Sequence, residues 1–191
     1  ITMKNLPQNT DVNFCNKVAD LLKEARKSIV QTVNKTMVLT YFEIGKLIIE
    51  EEQNGKERAE YGKQIIKELS ARLSIEFGKG FSITNLKQMR TFYLTYSKGQ
   101  TVSAESDERI VQYYNFQLSW SHYLFLMRIE NLDERKYYEI EAYSNNWSLR
   151  ELQRQFDSAL YERLVLSRDI KTVKELSKVG QVIDNPRDTI K

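Results

Sequence analysis

Apolar residues recur at three- and four-residue steps along most of this chain and almost nowhere alternate with polar ones. Phe14, Val18, Leu21, Leu22, Ala25, Ile29 and Val33 mark one face of a first segment that starts near residue 11. That is the stripe of an amphipathic helix with one side turned inward. Asn34 interrupts, and the period resumes at Val38, Tyr41, Phe42, Gly45, Ile48 and Ile49. Two helices of this length predict an antiparallel hairpin over 11–53, with Gly55 as its stop. Ile65, Ile66, Leu69, Leu73 and Phe77 mark the next helix, closed by Gly78-Lys79-Gly80. Leu86, Met89, Phe92, Tyr93 and Tyr96 mark another. The stretch 98–106 lacks periodicity and reads as a loop. A short helix over 109–116 follows, then helices from Ser121 to about Glu130, over about 133–144, from Ser148 to about Leu164 or beyond, and a short one ending at Gly180. The expected fold is all-α: a loose lead-in at 1–10, a multi-helix body over 11–180 and an extended linker at 181–191.

Three of these helices share an aromatic–Ser–x–x–x–apolar opening. Trp147, Ser148 and Leu152 carry it most fully, because Glu151 completes a capping box while Trp147 and Leu152 are placed as a hydrophobic staple. Phe81, Ser82 and Leu86 repeat the frame, as do Trp120, Ser121 and Phe125; Asp133 reads as the cap of the helix after that. A helix, a turn and a firmly capped second helix is also how a helix-turn-helix presents side chains to DNA. Two such units are expected, at about 60–97 and 121–165. In the first, Thr84, Asn85, Lys87, Gln88 and Thr91 project early from the second helix. Asn and Gln pair bidentately with adenine, while Lys79, Arg90 and Lys98 suit phosphate contacts that position without specifying sequence. The turn is longer than the usual three or four residues. In the second unit Arg150, Gln153 and Arg154 project from the first turns, with Arg163 and Arg168 further on. The same residues also fit a solvated face laced by salt bridges, and Trp120 and Trp147 fit core staples.

Composition narrows the chemistry. The 191 residues are 41% hydrophobic and 29% charged, with 7 Gly and 2 Pro, which suits a globular helical protein. Cys15 is alone, so no intrachain disulfide forms, and a cytoplasmic protein is expected. No apolar run approaches the roughly 20 residues of a membrane span, and the first residues lack a signal-peptide core. The net charge of +3 is too small to name a partner, so the placement of charge matters more than its sum. His122 is the single histidine, and with one distant cysteine it makes no zinc site. The Gly-Lys-Gly at 78–80 lacks the spacing of a phosphate loop. No catalytic, metal or cofactor residue is expected here.

The stretches "GFSITNLKQMRTFYLTY", "LSWSHYLFLMRIENLDERKYYEIEAYSNNWSLRELQRQFDSALYERL" and "LSRDIKTVKELSKVGQVIDNPRDTIK" occur in that order. Together with "VNKTMVLTYFEIGKLIIEEEQ" they resemble the helical N-terminal domain of the YhcG-type bacterial putative nuclease family, from about residue 14 onward. The resemblance implies that a PD-(D/E)XK-type nuclease domain follows in the same polypeptide and holds the metal and the catalysis. None of its catalytic residues falls in this chain, which stops at about the connection to that domain. Two functions are expected from this. One is a DNA-binding or targeting module for double-stranded DNA, non-catalytic by itself. The alternative is a helical protein–protein interaction or homodimerisation module of a DNA-defence or DNA-processing complex.

Overall fold

A computed structural model describes residues 9–54, 59–97 and 115–167, and all regular structure among them is helical. The elements are α1 (Asn9–Asn54), α2 (Ala59–Phe77), a single 3-10 turn (Lys79–Phe81), α3 (Ile83–Ser97), α4 (Trp120–Leu126), α5 (Leu132–Ser144), α6 (Leu149–Asp157) and α7 (Leu160–Ser167). The all-α expectation holds. The expected loop at 98–106, the final helix after Ser167 and the tail at 181–191 lie outside the described residues. So do most of the short helix at 109–116 and of the lead-in.

The hairpin over 11–53 is corrected. α1 is one continuous helix of 46 residues. A polar Asn34 costs a helix interior well under about 1 kcal/mol, and no Gly or Pro falls between 9 and 44 to break the backbone hydrogen bonds. The chain turns back only beyond Asn54, and α2 then packs against α1 and α3.

The C-terminal half of α1 is the spine of the body. Val38, Phe42, Ile48 and Ile49 are buried on it, and α3 lies along it, burying Leu86, Met89 and Phe92. Gly45 makes this contact possible. A Cβ there would run into the Met89 carbonyl and press on Tyr93. Phe42 and Phe92 meet edge to face with centroids 5.7 Å apart, and Arg90 Nε donates to Glu52 Oε2 at 2.7 Å. One core cluster gathers α1, α3 and the later helices around Phe92, Phe116, Tyr123 and Tyr138. A second joins Ile48, Ile66, Leu86 and Met89. Trp120 packs against both, as expected of a staple.

The N-terminal half of α1 differs. Phe14, Leu21, Leu22, Ile29 and Val33 are all more than half exposed, and Val38 is the first residue along the helix that is fully buried. The apolar stripe read from the sequence is present, but no described segment covers it.

The caps are partly as expected. Ser148 caps α6, its hydroxyl accepting from the Glu151 amide while the Glu151 carboxylate accepts from the Ser148 N–H. The residues just before it form a Schellman end to α5: Asn146 takes φ 51°, and Trp147 N–H bonds back to the Ala142 carbonyl at 2.9 Å. Two caps fall two residues upstream of the sequence reading. Ser119 rather than Ser121 precedes α4, and Asn131 rather than Asp133 caps α5, accepting from the amides of Asp133 and Glu134. The helix from Ser148 does not reach Leu164 unbroken. It ends at Asp157, and Ala159 at φ 53° turns the chain into α7. The Tyr138 hydroxyl accepts the Tyr161 amide at 3.2 Å and fixes that corner.

Candidate nucleic-acid interface

Each of α3, α4 and α6 begins just after a serine, and side-chain hydrogen bonds tie the three beginnings together. At α3, the Ser82 hydroxyl accepts from the Asn85 amide at 3.3 Å. The Asn85 side chain donates to the Gly80 carbonyl and accepts from the Trp120 indole N–H at 2.9 Å, which fixes the start of α3 to the start of α4. One turn into α4, His122 Nδ1 lies 2.6 Å from Ser119 Oγ, and Nε2 lies 3.1 Å from the Trp147 carbonyl. A carbonyl can only accept, so Nε2 carries the proton and Nδ1 accepts from the serine hydroxyl. Burial lowers the His122 pKa and favours this neutral form. The second bond fixes the start of α4 to the start of α6. Helix starts carry backbone N–H groups without intrahelical partners; here Ser82 caps one at α3, and at α6 Ser148 and the Glu151 carboxylate form a capping box.

The residues expected to meet DNA divide into two groups. Lys79, Thr84, Lys87 and Thr91 are exposed on or before α3, and Arg150 and Arg154 are exposed on α6. Gln88 and Gln153 are half-buried. Lys79, Lys87 and Arg150 form no ion pair with a described residue. Asn85 and Arg90 belong to the second group. Both ends of the Asn85 amide are engaged within the fold, and Arg90 is held by Glu52, so neither presents a free side chain as the sequence suggested. Thr91 donates its hydroxyl to the Lys87 carbonyl at 3.0 Å. Lys98 and Arg168 lie outside the described residues.

Next to the joined helix starts is an open cleft of about 380 Å³. Its far wall is α1, through Arg26, Lys27, Gln31 and Asn34; its near wall is Gln117, Ser119, His122 and Trp147. Sequence reading missed these α1 residues. Their only local signal is that Lys27, Gln31 and Asn34 share the side of the helix opposite the apolar stripe, with Arg26 at the stripe's edge. Gln117 Oε1 is buried here without a hydrogen-bond partner among the described residues.

A second group was also missed. Glu139 accepts from the Tyr123 hydroxyl at 3.1 Å and the Tyr96 hydroxyl at 3.4 Å. Burial raises the Glu139 pKa, and burial together with the Glu139 charge raises both tyrosines. With each carboxylate oxygen taken by a phenol, this is a satisfied polar knot in an aromatic core. Among the described residues no group of three His, Cys, Asp or Glu side chains is placed to hold a metal ion.

Residues 17–163 match the DUF1016 N-terminal domain. The chain belongs to that family. It is also 36% identical over 190 aligned positions to the protein titled "Putative nuclease YhcG" from Escherichia coli strain K12, covering 87% of this chain and 51% of that protein. It thus spans about half the length of this relative. No solved structure matches it. None of the described helices is long and apolar enough to cross a membrane.

Proposed function

We propose that this DUF1016 N-terminal domain holds double-stranded DNA, without cutting it, for a nuclease domain carried in the same polypeptide. The observation that supports this best is the joining of the starts of α3, α4 and α6 through Asn85–Trp120 and His122–Trp147. Lys87 on α3, Arg150 and Arg154 on α6, and Lys79 on the 3-10 turn before α3 stand exposed. A phosphate backbone presents evenly spaced anions, and flexible cations match it without reading bases. The division of labour rests on the relative's title and on the half of its length this chain spans.

The test is DNA retention in a gel shift and its salt dependence. Each phosphate neutralised contributes about −0.9 to the slope of log affinity against log salt. Replacing Lys79, Lys87, Arg150 and Arg154 with Ala is expected to abolish the shift and flatten that slope while the circular dichroism helix signal stays unchanged. Retention equal to the wild type would exclude this edge as the interface.

A further inference from the structure

The uncovered stripe of α1 has an internal order that identifies its partner. From Cys15 the spacing runs three, four, three, four, three through Val18, Leu22, Ala25, Ile29 and Thr32. This is the a/d seam of a coiled coil over nearly three heptads, with no charged residue in it. Phe14, Leu21 and Val33 flank the seam, whereas Lys17, Asp20, Lys23, Glu24 and Lys27 all fall outside it. At about 100° per residue, the cleft-facing residues Lys27, Gln31 and Asn34 lie on the other side of the helix, and Arg26 lies at the rim between the cleft and the seam. The body therefore approaches α1 from behind and leaves the seam pointing away.

We infer that the seam pairs with the same seam of a second copy of this chain, antiparallel about a two-fold axis between Lys23 and Glu24. In that register each residue faces the one whose number completes a sum of 47. Leu22 then lies opposite Ala25, Val18 opposite Ile29, Phe14 opposite Val33 and Cys15 opposite Thr32. Large faces small at the centre and no seam position carries a charge, Arg26 meeting Leu21 only at the rim, which is the self-complementarity an isologous interface requires. The length also fits. Position 38 pairs with position 9, so each arm extends up to the first fully buried residue of the other copy. Phe14, Leu21, Leu22, Ile29 and Val33 are 54–71% exposed and Val18 is 39% exposed. Together they offer on the order of 600 Å² per chain, or about 1,200 Å² per pair, the lower bound of a stable interface. This pairing is independent of DNA holding, since the edge at the helix starts lies on other elements.

Light scattering in the micromolar range gives the first reading: the wild type has twice the chain mass, and the double variant Leu22→Glu/Ile29→Glu has the mass of one chain with its helix content retained. Lys23→Glu, off the seam, leaves the mass doubled. The native thiol then tests the register. Under mild oxidation the wild type does not cross-link, because Cys15 faces Thr32, whereas Thr32→Cys forms a covalent pair through Cys15 of the other copy. A wild type that stays monomeric, or a doubled mass that survives both glutamates, overturns the pairing. Cross-linking of wild-type chains through Cys15 alone overturns the antiparallel register.

Discussion

His122 is half-buried where it links the starts of two helices, and burial favours its neutral form. Nε2–H donates to the Trp147 carbonyl and the Ser119 hydroxyl meets Nδ1, and what disfavours a proton on Nδ1 is the desolvation of a charged ring at this half-buried place. Burial lowers its pKa below the ordinary 6.5, so the unfolded chain takes up the proton more readily than the folded one. The linkage therefore runs one way. Its contribution to stability is complete above about pH 6.5 and is lost as pH falls from there through the lowered folded value. Urea denaturation midpoints are expected to fall across that window in the wild type, and His122→Gln is expected to remove that part of the slope. An identical pH slope in both proteins would refute this role. The histidine and its position in the first turn were legible in the sequence. Its two partners were not: Trp147 is 25 residues away, and Ser119 competes with Ser121 as a cap two residues along. A local frame of aromatic and serine cannot choose between nearby serines; only the tertiary position of the imidazole does.

At the level of elements, α3 against α1 decides whether the body forms. Gly45 lets the backbones approach, and the close neighbours of its missing Cβ are the Met89 carbonyl and Tyr93 Cβ. Alanine would improve helix propensity by up to about 1 kcal/mol. Forcing a methyl group into backbone costs typically about 1–3 kcal/mol or more, so the second effect wins. Gly45→Ala is expected to lower the stability by about 1–2 kcal/mol, read as a lower urea midpoint with unchanged m-value. A gain in stability would show that the helices can separate. The helical period predicted both helices and their buried faces, since Val38, Phe42 and Ile48 recur on one and Leu86, Met89 and Phe92 on the other. It also suggested a break at Asn34, where none exists. A polar residue interrupts a pattern of burial without interrupting backbone hydrogen bonds, and the two signals look alike in sequence. The corner at Ala159 was invisible for the opposite reason: alanine is the best helix former, and the turn is imposed by Tyr138 reaching to Tyr161.

Across the whole molecule, the body begins at Val38 and the arm ahead of it adds no residue to either core cluster. Removing residues up to 33 is expected to leave the urea midpoint unchanged when measured at a concentration low enough to keep chains apart. A drop of more than about 1 kcal/mol, the size of a typical single substitution, would mean that the arm supports the body. The cleft between Arg26 and Trp147, and the edge formed by three helix starts, were beyond sequence reading for one reason: each brings together segments separated by 25 to more than 100 positions. An arm that stands outside the core bears on descent more than on stability. Interior packing places no demand on positions 12–33, so substitutions there are filtered only by whatever docks onto them. Two relatives with near-identical interiors could therefore part company along this rod, and each would recognise its own kind and refuse the other.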